Sequence, residues 1–138
     1  MTTVVNVHRV NGITPAFDVY IGRASARAAD PRCRVTSEWC NPLRRLREGG
    51  RLESVEHLLR RYERVLREYL ANNPDAVPRL LALRGKRLGC WCKPDPCHGD
   101  VLVRVIEELW AETPLGRALM GRAESSNRKV QSEQREVR

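Results

Sequence analysis

A chain of 138 residues with 41% hydrophobic and 30% charged content is long enough for one globular core and too short for two. No apolar run approaches the roughly 18–20 residues that span a bilayer, which excludes a helical membrane protein. The start, Met1-Thr2-Thr3-Val4-Val5, lacks the charged, apolar and small-residue segments of a signal peptide, so the reducing cytoplasm is the expected location. In that compartment the five cysteines point to metal, redox or nucleophilic chemistry more than to disulfides. The net charge of +8 comes mainly from arginine, with eight arginines against three acids between Gly22 and Arg51, a local excess of +5. Such a surface suits nucleic acid, a nucleotide or another polyanion. One Phe and three Tyr are too few to lay out the stacking platforms of single-strand binders.

In chain order, Thr3–Val7 is β-branched and reads as a first strand, and Asn11-Gly12 as a turn. Phe17–Ile21 alternates and reads as a second strand. Ala24–Gly50 has little periodicity, many arginines, Pro31, Pro42 and Gly49-Gly50, and reads as a long, irregular basic excursion. From Glu53 to Ala71, Val55, Leu58, Leu59, Tyr62, Val65, Leu66 and Tyr69 form one apolar helical stripe. Asn72-Asn73-Pro74 stops that helix. Asp75 is placed to cap a second one through Leu83, with Pro78 tolerable only in its first turn. Lys86–Trp91 reads as a third strand. Asp100 is the expected N-cap of a last helix that buries Val101, Leu102, Val105, Ile106 and Leu109.

This order predicts an α/β fold, a small single-domain layered sandwich with a short, mainly parallel sheet and flanking helices. The domain is expected over residues 1–112, with 113–138 as a polar, disordered tail.

The candidate site is Cys90-Trp91-Cys92-Lys93-Pro94-Asp95-Pro96-Cys97-His98, between a strand end and a helix start. Ligands gather at that edge of open α/β sheets, and a helix start favours an anion or a thiolate. Three readings stay open. Cys90, Cys92, Cys97 and His98 form a Cys3His donor set suited to zinc, although C-x-C is tighter than the usual zinc spacing. Alternatively Cys97 is a nucleophile with His98 as acid–base partner, which leaves enzymatic activity undecided. Alternatively Cys90 and Cys92 are small core residues on one face of a strand and His98 is a hydrogen-bonding turn residue. His57 falls on the polar flank of the long helix, and His8 follows the first strand near the same edge.

The chain resembles the uncharacterised bacterial and phage family catalogued as domain of unknown function 4326. The matching residues are Val5-Asn6-Val7, Val19-Tyr20-Ile21-Gly22-Arg23, Trp39-Cys40-Asn41-Pro42-Leu43, Leu88-Gly89-Cys90-Trp91-Cys92 and Pro96-Cys97-His98-Gly99-Asp100-Val101-Leu102. The family tends to carry glycine where this chain has Cys40, which sets Cys40 apart from any shared site. The resemblance implies no established activity, and a host's cytoplasm if the chain is phage-encoded. It also implies that Arg23, Trp39, Asn41 and the Cys/His loop belong to one recurring set.

Arg23 suits a phosphate or carboxylate, Trp39 a stacked base and Asn41 a polar edge, with Asp100 at the same loop. Together they predict an anionic, nucleotide-like small molecule as ligand. Against this, Trp39 also fits a core anchor and Asn41-Pro42 a plain turn. The alternative function is a non-enzymatic zinc-stabilised module that binds nucleic acid or a host protein through the basic excursion.

Overall fold

A computed structural model describes residues 1–121 of the chain. Its elements are β1 (Thr3–Asn6), β2 (Val19–Tyr20), a 3₁₀ turn (Pro31–Arg34), β3 (Arg47–Glu48), β4 (Arg51–Leu52), α1 (Val55–Asn72), α2 (Ala76–Leu81), β5 (Arg87–Cys90) and α3 (His98–Glu112). The fold is mixed α/β, as its order of apolar periods predicts. It contains a three-stranded parallel sheet in the order β1-β5-β2 and a separate antiparallel pair β3-β4. The chain divides into two units after Ile106, and everything that builds the candidate site lies in the first, Met1–Ile106. No described helix is long and apolar enough to cross a membrane.

The last strand in sequence is the central one. β5 pairs Val4 with Leu88 and Asn6 with Cys90 on one side, and Val19 with Leu88 on the other. Strand alternation then sorts the core into two faces. Gly89 turns to the face where Val7, Phe17, Tyr20, Ala28 and Cys33 are buried together. A β-carbon at Gly89 would stand 2.7 Å from Val7 Cγ1 and 2.8 Å from Phe17 Cδ2, so this face closes only over glycine. The other face meets the start of α3, where Gly99 lies against Ile21 and Val4.

The helix over the expected stripe runs Val55–Asn72, and the Ser54 side chain caps it by accepting from His57 N. Tyr62, Leu66 and Leu70 are its buried residues, whereas Val65 is 37% exposed, at the edge of the stripe. α2 ends at Leu81 rather than Leu83, and Asp75 makes no side-chain cap because its backbone is already helical. Pro78 sits in the first turn of α2, where its missing N–H costs no bond. The second strand is shorter than the alternating run, although Asp18 N and Ile21 N still donate to Arg87 O and Gly89 O at its ends.

The excursion from Ala24 to Gly50 is more ordered than its composition predicts. Asp30 caps the 3₁₀ turn through Arg32 N. Gly49 and Gly50, at φ of 56° and 79°, make the two-residue turn of the β3-β4 hairpin. Beyond α3, residues 114–121 are helical, where a tail is expected to begin. The rest of that tail, 122–138, lies outside the described residues.

Candidate functional site

Parallel pairing brings the C-terminal ends of β1, β5 and β2 to one edge, and α3 starts there. Cys90 closes β5 and Cys97 precedes α3, and both are buried, as is His98, while Cys92 is the exposed thiol of the loop. The Sγ atoms of Cys90, Cys92 and Cys97 all lie within 4.8 Å of one another. Cys90 Sγ is 2.8 Å from Cys97 Sγ. His98 Nδ1 faces them at 3.6 Å from Cys97 Sγ and 4.0 Å from Cys90 Sγ. The four residues therefore converge, and three close cysteines could hold a metal ion.

Several elements fix the histidine. His98 Nε2 donates to Ile21 O at 2.8 Å, at the end of β2, so the nitrogen facing the thiols is Nδ1. A carbonyl on the far nitrogen is the usual support of a metal-binding imidazole. The Tyr62 ring of α1 meets the His98 ring edge-on at 5.4 Å, and Tyr62 Oη donates to Trp39 O at 2.7 Å.

Hydrogen bonds from Cys92 and Cys97 hold the Cys90 thiol well below its ordinary pKa. Its bonds with Cys90 and Cys92, together with burial, push Cys97 up. Burial opposes a charge on His98, but the Cys90 and Cys92 sulfurs outweigh it and lift the ring to about 9.

Asp100 is not the N-cap. Helix α3 starts at His98, three residues before the expected Val101, because Gly99 lets the first turn lie flat on Ile21 and Val4, so Cys97 occupies the cap position. Cys97 Sγ accepts from Gly99 N at 3.3 Å, while Asp100 Oδ2 reaches back to Cys97 N at 2.9 Å. This is a capping box with a thiol in place of the usual hydroxyl. The other carboxylate oxygen, Oδ1, pairs with Lys93 Nζ. Asp100 thus shapes the loop from behind and does not line the cleft described next.

Above the cluster is a cleft of ≈ 470 Å3 with Cys90, Cys92 and His98 in its lining, and with Arg23, Asn41 and Trp91 among its other walls. Arg23 Nε donates to Asn41 O at 2.8 Å and an Nη donates to Leu43 O at 2.7 Å. These partners are neutral carbonyls, so among the described residues the guanidinium is held in place with no carboxylate against it. Asn41 Oδ1 accepts from Leu43 N at 2.9 Å, which makes it a turn residue that also faces the cleft. Trp39 does not line the cleft. It is 5% exposed and packs edge-on against Tyr69, so the core-anchor reading describes it.

The aromatic at the cleft is Trp91, which the sequence reading passes over. It is 39% exposed, and its Nε1 donates to Tyr20 Oη at 2.7 Å. Tyr20 Oη donates in turn to Arg23 O. Asn6 is also missed: its Nδ2 donates to Lys93 O and its Oδ1 accepts from His8 N, clasping the cysteine loop to the end of β1. The available signal was position. An exposed tryptophan between two cysteines on a strand-end loop has no core to fill.

A family profile described as "Domain of unknown function (DUF4326)" matches residues 5–108, which runs from within β1 through β2, β5 and the whole cluster. The chain is also similar to an "Uncharacterized 12.4 kDa protein in nrdA-td intergenic region" of Enterobacteria phage T4. The two are 53% identical over 30 residues, 22% of this chain and 28% of that protein, so the chain spans under a third of that relative's length. No solved structure matches.

Proposed function

The chain belongs to the domain of unknown function 4326 family, and for it we propose a zinc-bearing binding protein that takes an anionic, nucleotide-like small molecule at the strand-end cleft. Cys90, Cys92, Cys97 and His98 are the zinc ligands in this reading, and Arg23 and Asn41 are the contacts to the anion. The observation that carries it is the convergence of the three sulfurs within 4.8 Å, with His98 Nδ1 3.6 Å from Cys97 Sγ, beneath an arginine that pairs with no carboxylate among the described residues. Bond lengths of about 2.0–2.1 Å to nitrogen and 2.3 Å to sulfur give tetrahedral edges of about 3.6 Å for N···S and about 3.8 Å for S···S, so His98 and Cys97 already stand at the required spacing, Cys90 and Cys97 at 2.8 Å must part by about 1 Å, and the donor types are zinc's. Zinc there would be held by three thiolates and a neutral imidazole, so it would displace the thiol protons and fix the loop, while the positive charge facing an anion would come from Arg23.

Burial favours a ligand role for Cys97 over a nucleophilic one. The thiol is 1% exposed, and a substrate entering from the cleft meets Cys92 first.

The test is metal analysis of protein purified without chelator, combined with thiol labelling under native conditions. The expected result is about one zinc per chain with Cys90, Cys92 and Cys97 protected, and loss of both in Cys90→Ser. Metal-free protein with one fast-reacting thiol would refute the zinc reading and restore a thiol pocket.

A further inference from the structure

Trp91 and Ser25 line the strand-end cleft and also a second one, of ≈ 210 Å3. His8, Arg9 and Arg27 stand around the second cleft, and among the described residues no carboxylate pairs with either arginine. Its own acid, Asp30, is committed to Arg32 at 2.8 Å. Each cleft therefore carries arginine charge that no acid among the described residues compensates, and a partly exposed indole stands between them.

That indole is fixed before any ligand arrives. Its Nε1 is tied to Tyr20 Oη, and the His8 ring lies edge-on to it at 5.8 Å. A rigid aromatic surface with cations on both sides matches a nucleoside that carries a phosphate at each end. The base packs on the ring, and each phosphate reaches an arginine. A mononucleotide fills one side only.

We propose that the two clefts form one site for a nucleotide unit flanked by two phosphates, with the base on Trp91, one phosphate at Arg23 and the other at Arg9 and Arg27. This rests on the reading of the first cleft as an anion site and names its ligand class. The same chemistry occurs in a free dinucleotide and at the phosphorylated end of a single strand.

The experiment is calorimetric titration of the metal-loaded protein, at one fixed salt concentration, with three probes. They are AMP, a 5′-phosphorylated adenine dinucleotide, and a longer 5′-phosphorylated single strand. The dinucleotide should bind about tenfold or more tighter than AMP, the worth of one added charge-assisted phosphate contact. Arg9→Ala combined with Arg27→Ala should bring the dinucleotide to the affinity of AMP, and Trp91→Ala should weaken all three probes. Removing two charges from the hairpin instead, in Arg47→Ala with Arg51→Ala, should leave the dinucleotide preference in place. A strand that binds like the dinucleotide assigns the ligand to a nucleic acid end, and a strand that fails assigns it to the free dinucleotide.

Equal affinity for AMP and dinucleotide would overturn the two-cleft site and leave the first-cleft reading standing. So would an equal loss in the hairpin variant, since the effect would then be long-range charge. Failure of all probes would overturn both.

Discussion

Gly22→Ala tests whether the cleft wall is built in advance. Gly22 does not have a left-handed backbone, so an added methyl acts through space alone. That β-carbon would stand 2.5 Å from Tyr20 Oη and 2.6 Å from Tyr20 Cζ, where ordinary contact begins at 3.4 Å. Relief needs a shift of about 0.9 Å, and a shift of that size away from Trp91 carries the 2.7 Å bond from Nε1 past the ~3.5 Å at which hydrogen bonding fades. The bond from Tyr20 to Arg23 O is lost with it.

Two hydrogen bonds at about 0.5–1.5 kcal/mol each put the cost at about 1–3 kcal/mol. At roughly 4 °C per kcal/mol for a domain of this size, melting should fall by about 4–12 °C. The assay is thermal unfolding in a double-mutant cycle with Tyr20→Phe, which removes the nearest clashing atom and the same two bonds. The double variant should therefore lose clearly less than the two single losses added together. Strict additivity, or a Gly22→Ala protein within about 0.5 kcal/mol of wild type, would refute the reasoning.

Three further outcomes follow from the same contacts. Asp100→Ala removes the reach-back bond to Cys97 N and should cost about 1 kcal/mol of stability in chemical denaturation, with about 10–100-fold weaker zinc retention in a chelator competition because the Cys97-His98 turn is released. Leu88→Ala, at a fully buried position on the central strand, should destabilise by about 2–5 kcal/mol in the same assay; a smaller loss would mean that the sheet centre is not closely packed.

Arg87 hydrogen bonds hold the Asp18 carboxyl at about 2 in the folded protein, below its ordinary 3.8. A depressed folded pKa means that the pair's contribution is complete above about pH 4 and is lost as pH falls through about 2. The stability gap between wild type and Asp18→Asn should therefore close over that window, and a gap independent of pH would exclude the pairing.

Much of the scaffold was readable in the residues. The α1 stripe, the β-branched first strand and the Leu88-Gly89-Cys90 run are strong local signals, and each forms near its expected bounds. What failed was mostly non-local. The Gly99 contact with Ile21 and Val4 moves the start of α3 and turns Asp100 from cap to back-reaching partner, a packing event with no local signature. The same holds for the tryptophans. Trp39 and Trp91 both sit beside a cysteine, and only the α1 contacts of Trp39 separate the core ring from the cleft ring. The hairpin turn at Gly49-Gly50 was a local signal, obscured by the arginine content around it. In the site, the loop's spacing argued against four converging donors. The buried position of His98, fixed from Ile21 and Tyr62, brings its Nδ1 to the sulfurs.

The strand order β1-β5-β2 has a bearing on synthesis. β1 and β2 do not pair with each other, so both emerge from the ribosome without a partner and wait for residues 87–90. Until then a nascent chain has two open strand edges and long-range pairing still to make, the condition in which chains fold slowly and are exposed to mispairing. The residue that completes the ladder, Cys90, is also the first of the clustered thiols to be made. Closure of the sheet and gathering of the cysteines are therefore one event, late in translation. A chain stopped before Arg87 would have neither.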